Sequence, residues 1–141
     1  MAFRTAFNTI LTRFKGQMDT VRPNVPVAWP NIEFDPSVSF NPSSHQAWAR
    51  ISVLGGEQNQ ISINGASPRW RQVGVITVQV FTPTEEGAEM GLAVADVIAT
   101  IFRGVTVSGV ILQAGSVIPL GRTNEEPYYQ VNVEVPFRYD S

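Results

Sequence analysis

The sequence has 141 residues, about the length of one domain, and a domain of that size buries roughly two-thirds of the surface that its unfolded chain exposes. Hydrophobic residues make up 43% and charged residues only 16%, so we expect a partly neutral or apolar surface, as in a subunit of an assembly. The net charge of −2 comes from scattered residues and argues against nucleic-acid duplexes and anionic membranes as partners. The lack of cysteine excludes disulfides, thiolate metal sites and a cysteine nucleophile.

The first segment, from Ala2 to about Met18, has the pattern of an amphipathic helix. Its apolar residues recur at helical spacing and form one face. Arg4, Arg13 and Lys15 interrupt any continuous apolar core, so the segment is not a secretory signal. We therefore expect the protein to remain in the compartment in which it is made.

The segment from Val21 to Ser44 is predicted to be mostly loop. Proline recurs along it, and each proline removes a backbone donor and biases the preceding residue toward an extended shape. Short extended pieces are expected from Val25 to Trp29 and from Ile32 to Phe34. The first piece would be an edge strand, where Pro26 is tolerated.

A β-hairpin is predicted next. Apolar and polar residues alternate from Gln46 to Leu54, which is typical of a half-buried strand. Gly55-Gly56-Glu57 would form the turn, and Asn59 to Asn64 would return as the second strand.

The stretch from Trp70 to Gly104 organises the rest of the chain. Trp70 to Phe81 is rich in β-branched residues and predicts a strand. Because apolar residues lie on both of its faces, we expect a central strand that is covered on each side, by a helix or by a neighbouring subunit.

A helix is predicted directly after this strand. Thr82-Pro83-Thr84-Glu85 fits a capping box, with Thr82 as the N-cap and Pro83 at the first helical position. The helix would end at Arg103 and Gly104. Its first two turns would carry acidic residues that complement the helix dipole, namely Glu85, Glu86 and Glu89.

Further strands are predicted after the helix, from Val105 to Leu112, from Val117 to Leu120 and from Tyr129 to Tyr139. The last one alternates strictly, so one of its faces would pack and the other would be wet. Pro136 lies on the wet face and cannot donate, so we expect the far end of this strand to lie at a sheet edge or to stop pairing there. Gly121 to Glu126 would join the last two strands as a hairpin.

These elements predict a single α+β domain over residues 1–141. We expect a mostly antiparallel, mixed sheet of about five to six strands with two helices packed on it. The longest uncharged stretch, from Gly104 to Gly121, is broken by turn residues and by Pro119, so it predicts strands and turns and not a membrane span.

The sequence contains no constellation of catalytic or metal-ligating residues. His45 is the single histidine, and only Asp35, Ser43 and Ser44 are nearby as partners, so a structural or exposed role is favoured over catalysis. One histidine without cysteine does not supply the three or four ligands of a zinc site. The turn glycines lack the spacing of a phosphate loop or a dinucleotide fold. We therefore expect neither an enzyme nor a bound cofactor.

The cluster Arg69-Trp70-Arg71 has two interpretations. Two cations around an aromatic side chain could stack a nucleic-acid base, as single-strand binders do. In a chain of net charge −2, such a cluster is more often a strand end packed at a subunit contact, which is the interpretation that we favour.

Four segments carry a resemblance to a known family. They are the helix from Phe3 to Met18, the run Val25-Pro26-Val27-Ala28-Trp29-Pro30-Asn31, the unit around Gln79-Val80-Phe81-Thr82-Pro83, and the close of the chain, Gly121-Arg122 followed by Tyr129-Gln130-Val131-Asn132-Val133-Glu134-Val135-Pro136-Phe137-Arg138-Tyr139. In these segments and in the order of its elements, the chain resembles the small tail-terminator (tail-completion) proteins of long-tailed bacteriophages and prophages. The resemblance covers nearly the whole length, and its motifs are structural and not chemical.

The resemblance implies a structural protein without catalysis. Its copies would form a ring, usually a hexamer, that caps the tail tube, stops its polymerisation and offers a surface to the filled head. Some terminators stay monomeric until they meet the tube. The partners would be the tail-tube protein and a head-completion or connector protein, with DNA only passing through the lumen. The protein would be made in the bacterial host cytoplasm and reside at the head-proximal end of the virion tail.

A closed ring needs two different, complementary patches on each subunit. The candidates are the loop from Pro36 to His45, the turn from Gly55 to Gln60, the strand start from Arg69 to Arg71 and the turn from Arg122 to Glu126. The candidate interface residues within them are His45, Glu57, Arg69, Trp70, Arg71, Arg122, Glu125 and Glu126. The candidate acids facing the lumen are Glu85, Glu86 and Glu89.

Two alternatives stay open. Within virion assembly, a head-tail connector or a minor tail protein of similar size and fold would look much alike. A small ligand-binding or catalytic domain would instead use the cleft between the sheet and the predicted helix from Thr84 to Arg103. That alternative predicts a deep pocket lined by a few convergent polar groups.

Overall fold

The computed structural model describes residues 2–35, 40, 47–60, 69–83, 89–122 and 128–140. The helices in this part of the chain are α1 (Ala2–Val21) and α2 (Glu89–Phe102). The strands are β1 (Val27–Ala28), β2 (Trp48–Gln60), β3 (Trp70–Pro83), β4 (Thr106–Val107), β5 (Val110–Leu112), β6 (Ser116–Arg122) and β7 (Tyr128–Asp140). They form one seven-stranded sheet, so the α+β class is confirmed with slightly more strands than expected.

The sheet has the strand order β1-β2-β3-β7-β5-β4, and β6 also pairs with β7. Every pair is antiparallel except β1 with β2. β3 lies between β2 and β7, as predicted for a central strand. On its other side, β7 pairs with β6 along one half and with β5 along the other.

Both helices pack on one face of the sheet, which we call the inner face. Even-numbered residues of β3, such as Ile76 and Val78, and odd-numbered residues of β7, such as Val133, are fully buried in the core that includes both helices. Phe14 of α1 and Phe102 of α2 stack with 5.7 Å between their ring centroids. Full burial of one such side chain contributes about 1.5–3 kcal/mol, and this cluster is the main hydrophobic core.

The amphipathic helix predicted at the N-terminus is confirmed and extends to Val21. Arg13 connects it to the end of α2, because its Nε donates a hydrogen bond of 2.9 Å to the Ile101 carbonyl oxygen. A cation at that position also complements the negative end of the helix dipole. Neither helix of the described chain combines the length and the apolar character needed to cross a membrane.

A second, smaller core lies on the opposite face of the sheet, the outer face. Trp48 and Phe81 are paired across β2 and β3 and stack with 4.2 Å between their ring centroids. Phe34 stacks on Trp48 at 5.1 Å, and the buried Phe40 meets Tyr128 edge-on at 5.9 Å. Aromatic side chains therefore fasten the proline-rich segment to the sheet, which the prediction of a loop did not anticipate.

The proline-rich segment contains one of the two predicted extended pieces. The predicted edge strand is confirmed as β1, parallel to β2. From Ile32 to Phe34, where a second extended piece was predicted, the structure has no strand. The Ile32 N–H donates to the Trp29 carbonyl oxygen at 3.2 Å, and Asn31 has a φ of 57°. The chain therefore makes a turn from Trp29 to Ile32, which ends where the extended piece was expected to begin.

The hairpin predicted with a turn at Gly55-Gly56-Glu57 is wrong, because β2 continues through these residues to Gln60 and pairs with β3. The register shifts between Gly55 and Gln58, which marks a β-bulge. The Gln72 amide Nε2 holds the bulge by donating to the carbonyl oxygens of Gly56 at 3.0 Å and Val73 at 2.9 Å. The glycines thus permit a bulge and not a chain reversal. Residues 61–64 of the predicted return strand lie outside the described chain.

The capping box predicted at Thr82-Pro83-Thr84-Glu85 is wrong at its start. Thr82 and Pro83 are the last residues of β3 and pair with Tyr129 and Tyr128 of β7. The described part of α2 begins at Glu89, and residues 84–88 lie outside the description. Pairing with β7 therefore overrides the local capping signal and keeps the chain extended.

The expectation that the end of β7 after Pro136 lies at a sheet edge or stops pairing is also wrong. Pro136 pairs with Val75 of β3, and the residues after it pair with both β3 and β5. The Gln113 N–H donates to the Pro136 carbonyl oxygen at 3.0 Å. The N–H and C=O positions of a strand residue lie on the same side of the strand. At Pro136 this side faces away from β3, between the paired stretches of β5 and β6, and this is where the N–H is missing. The proline therefore removes no hydrogen bond from the central ladder.

The strand predicted from Val105 to Leu112 is two strands. β4 and β5 form a tight hairpin around Ser108, with φ of 49°, and Gly109, with φ of 85°. Positive φ at both central positions is the mark of a type I′ turn, whose twist suits a hairpin. The two strands predicted after it are confirmed as β6 and β7, which pair with each other antiparallel.

Candidate functional site

Three of the predicted interface residues lie exposed where β2 ends and β3 begins. Glu57 is near the end of β2, Arg69 directly precedes β3, and Trp70 is the first residue of β3. The Trp70 side chain is 40% exposed, which is high for a tryptophan, and Trp70 pairs with Gln60 of β2. The β2–β3 ladder thus brings these residues to one end of the sheet.

Arg71, the next predicted interface residue, binds Asp140 of β7 in the same chain. Its Nε donates to Oδ1 at 2.9 Å and its Nη2 donates to Oδ2 at 3.1 Å, so the contact is bidentate. Mainly through this hydrogen bond, the guanidinium lowers the pKa of Asp140. The same hydrogen bond raises the pKa of Arg71. The Arg71 cation is therefore already engaged.

Strand geometry does not favour base stacking by Arg69-Trp70-Arg71. Successive side chains of a strand point to opposite faces, so the Trp70 indole and the Arg71 guanidinium lie on different faces of the sheet. The Arg71 guanidinium is also held by Asp140. The subunit contact that we favour for this cluster stays a prediction.

The remaining candidate residues are described only in part. Arg122 ends β6 with its backbone paired to Tyr129. Glu89 is the first described residue of α2 and is exposed. The residues outside the described chain are His45, Glu85, Glu86, Glu125 and Glu126. Their places at an interface or in a lumen stay predictions.

The outer face carries an open surface that the sequence patterns did not single out. Leu54, Val75 and Pro136 are cross-strand neighbours in one row. Leu54 is 61% exposed, Pro136 is exposed and Val75 is partly exposed. The next row toward the aromatic cluster is polar and includes Thr77 and Glu134. Within the described chain, the cover predicted for the second face of β3 is therefore present only at the aromatic end.

Among the described residues, two open grooves lie beside α1. One groove, with a volume of about 400 Å³, lies between α1 and the β4–β5 hairpin, and Arg13 and Val107 are among the residues that line it. The other, of about 410 Å³, separates α1 from α2 and is lined by Arg13, Val97 and Ile101 among others. Both are shallow clefts at the helix surface and not the deep pocket that a catalytic domain predicts.

The interface between α2 and the sheet, where the catalytic alternative predicts its pocket, is packed in the described chain. Val94 and Ile98 are fully buried in the main core. Gly91 brings α2 close to β7, since a Cβ at Gly91 would lie 3.3 Å from Val131 Cγ2. Among the described residues, no three side chains of the metal-binding types are grouped to hold an ion.

Comparisons with known proteins agree with the resemblance seen in the sequence. The profile of a family described as "Phage tail terminator protein" matches residues 9–137. No curated protein matches the chain. One solved structure aligns with a TM-score of 0.66 at 19% sequence identity, covering 99% of this chain and 96% of that chain, and at this identity the likeness shows the fold alone. Because the family profile matches most of the sequence, the chain belongs to the phage tail terminator family, a family of structural phage tail proteins.

Proposed function

We propose that copies of this chain form a closed ring that caps the phage tail tube, ends its polymerisation and offers a surface for head attachment. Membership of the tail terminator family, matched over residues 9–137, carries this proposal. The role is structural and involves no catalysis. The ring expected from the resemblance is a hexamer.

The exposed surfaces of the sheet support assembly. Leu54, Val75 and Pro136 leave apolar surface in water, and burial of such surface contributes about 25 cal/mol per Å². A stable interface covers about 800 Å² on each partner. The open outer face and the exposed end of the β2–β3 ladder with Arg69 and Trp70 are different patches, as the heterologous contact of a ring requires.

The charge of the chain suits a ring through which DNA passes. With a net charge of −2, the chain has no excess of basic residues that would hold the DNA phosphates. Glu89 is exposed and is our described candidate for a residue facing the lumen. The tail-tube protein would lie on one side of the ring and a head-completion protein on the other, at the head-proximal end of the tail.

Deletion of the gene from its phage tests the proposal. Without a cap the tube would continue to add subunits, so we expect lysates with tails of abnormal length and heads without tails. Electron micrographs measure the tail lengths, and supply of the natural chain from a plasmid should restore them. Tails of normal length with unattached heads would indicate a head-tail connector instead. Normal, infectious particles would contradict a role in the tail.

A further inference from the structure

We propose that the free edge of β2 in one subunit pairs with the free edge of β6 in the next subunit, which joins the sheets of neighbouring copies. The inference deepens the ring proposal and rests on it. Among the described strands, β1 covers β2 only at Ala49 and Arg50, and β6 pairs with β7 alone. A row of unpaired backbone donors and acceptors along such an edge is a template for another strand.

On β2, the backbone groups that face outward past the end of β1 are those of Ile51 and Val53. The Ala49 N–H donates to the Pro26 carbonyl oxygen at 2.9 Å, on the side of β2 that faces away from β3. Alternate residues of an antiparallel strand direct their N–H and C=O to the same side. Ile51 and Val53 therefore point in the same direction as Ala49, and no described strand pairs with them.

On β6, the same reasoning places Val117 and Pro119 on the outward side. The bond from the Gln113 N–H to the Pro136 carbonyl oxygen shows that even-numbered residues of β7 face β5 and β6. Ser116 is paired with an even-numbered residue of β7 and so faces that strand. Val117 then offers a donor and an acceptor at the free edge, and Pro119 offers an acceptor.

The strand directions fit an antiparallel ladder between copies. β2 runs antiparallel to β3, β3 to β7 and β7 to β6, so β2 and β6 run in opposite directions within one sheet. A neighbour related by a rotation that keeps the same sheet face outward therefore presents its β6 antiparallel to β2. Each copy uses one edge toward one neighbour and the other edge toward the next, which is the arrangement that closes a ring. Because the β2 edge and the β6 edge of this chain match in direction, the strand that pairs with β2 comes from a second copy and not from the tube protein.

The composition of the two edges also favours pairing. Proteins commonly protect edge strands with charged residues, whereas residues 51–56 and 116–121 carry no charge. Leu54 is 61% exposed on β2, and Leu120 is 46% exposed on β6. The ladder between copies would be short. On β2 it is limited by the bulge that begins after Gly55, and on β6 by the missing N–H of Pro119, so it would span a few residues around Val53.

Disulfide cross-linking tests this pairing cleanly, because the natural chain has no cysteine. If Val53 lies opposite Val117, Leu54 lies opposite Ser116; if Val53 lies opposite Pro119, Leu54 lies opposite Ile118. The two test proteins are therefore Leu54→Cys with Ser116→Cys, and Leu54→Cys with Ile118→Cys. Two intervening strands separate these positions within one chain, so a disulfide must join two copies.

In assembled rings under mild oxidation, we expect one of the two test proteins to form a ladder of covalent oligomers that reduction returns to monomer. The matched controls are Leu54→Cys alone and Leu54→Cys with Gln17→Cys on the exposed face of α1, and neither should form the ladder. Circular dichroism verifies that each variant folds.

Rings that appear in micrographs without cross-linking of either pair would overturn the edge pairing and leave the ring standing. Covalent dimers of Leu54→Cys alone would also overturn it, because they would place two β2 strands together. Failure of the natural chain to form rings, with and without tail tubes, would overturn the ring and the edge pairing with it.

Discussion

At the scale of single residues, the contact between Arg71 and Asp140 fastens one end of the β3–β7 ladder. The two residues are register partners, and two parallel hydrogen bonds of 2.9 Å and 3.1 Å join their side chains. Both side chains are partly exposed, so solvent screens the attraction and limits its contribution. The effect on stability should therefore be small and should depend on pH.

We predict that Arg71→Met lowers the free energy of unfolding at neutral pH and that its difference from the natural chain shrinks in acid. The folded-state pKa of Asp140 is lowered, so the contribution is present above the unfolded value of about 3.9 and is lost as the pH falls through the lowered folded value. Urea denaturation at neutral pH and at several values below about pH 4 measures the difference.

The matched control is Lys15→Met, which removes an ion pair with Asp19 whose side chains are 65% and 66% exposed. This variant should change stability little at any pH. An Arg71→Met effect of equal size at neutral and acidic pH would show that the ion pair is not its source.

At the level of the elements, three strands meet in tight packing around Gly74 of β3. A Cβ at this position would lie against the Leu54 carbonyl oxygen of β2 and 2.6 Å from Cζ of Phe137 on β7. The Phe137 ring, 2% exposed, fills the space that a side chain at Gly74 would need. The absence of a side chain at this position therefore lets the ring complete the main core.

We predict that Gly74→Ala destabilises the fold by about 1–3 kcal/mol, because the added methyl group forces the Phe137 ring or the β2 backbone to move. The matched control is Gly16→Ala in α1, where a Cβ would meet nothing within 4 Å and should stabilise the helix by up to about 1 kcal/mol. Urea denaturation of both variants compares them with the natural chain. A Gly74→Ala protein as stable as the natural chain would contradict the tight packing.

The elements that the sequence predicted well are those whose pattern follows from burial. The helical repeat of α1 and the strict alternation of β7 appear because one face of each element packs on the core. Gly55-Gly56 predicted a turn and Thr82-Pro83 predicted the start of a helix. Both predictions were wrong because turn and capping signals are local. Both pairs lie in strands whose partners, β3 and β7, are distant in sequence, and the pairing decides their conformation.

The candidate site was predictable to a similar extent. Arg69 and Trp70 stand out in the sequence as a cluster at a strand start, and both are exposed. The partner of Arg71 and the apolar row of Leu54, Val75 and Pro136 could not be predicted, because each joins residues of different strands. The register that brings them together is set by long-range pairing and leaves no pattern within one segment.

At the scale of the whole molecule, the fold has one shielded and one open face. Both helices cover the inner face, and the aromatic cluster around Trp48 covers only one end of the outer face within the described chain. In the ring that we propose, the β2 edge and the β6 edge of each subunit would face different neighbours, as a cyclic assembly requires. Family membership makes the chain a structural tail protein, and capping by a ring is the action that we propose for it.

In the function that we propose, the chain caps the tail tube and ends its growth. Electron microscopy of tubes that polymerise in vitro, with and without the purified chain, tests this claim directly. We predict a ring-shaped density at one end of the tubes and tube lengths that stop increasing once the chain is added. Tubes that continue to lengthen at an unchanged rate and carry no added density would show that the chain does not cap them.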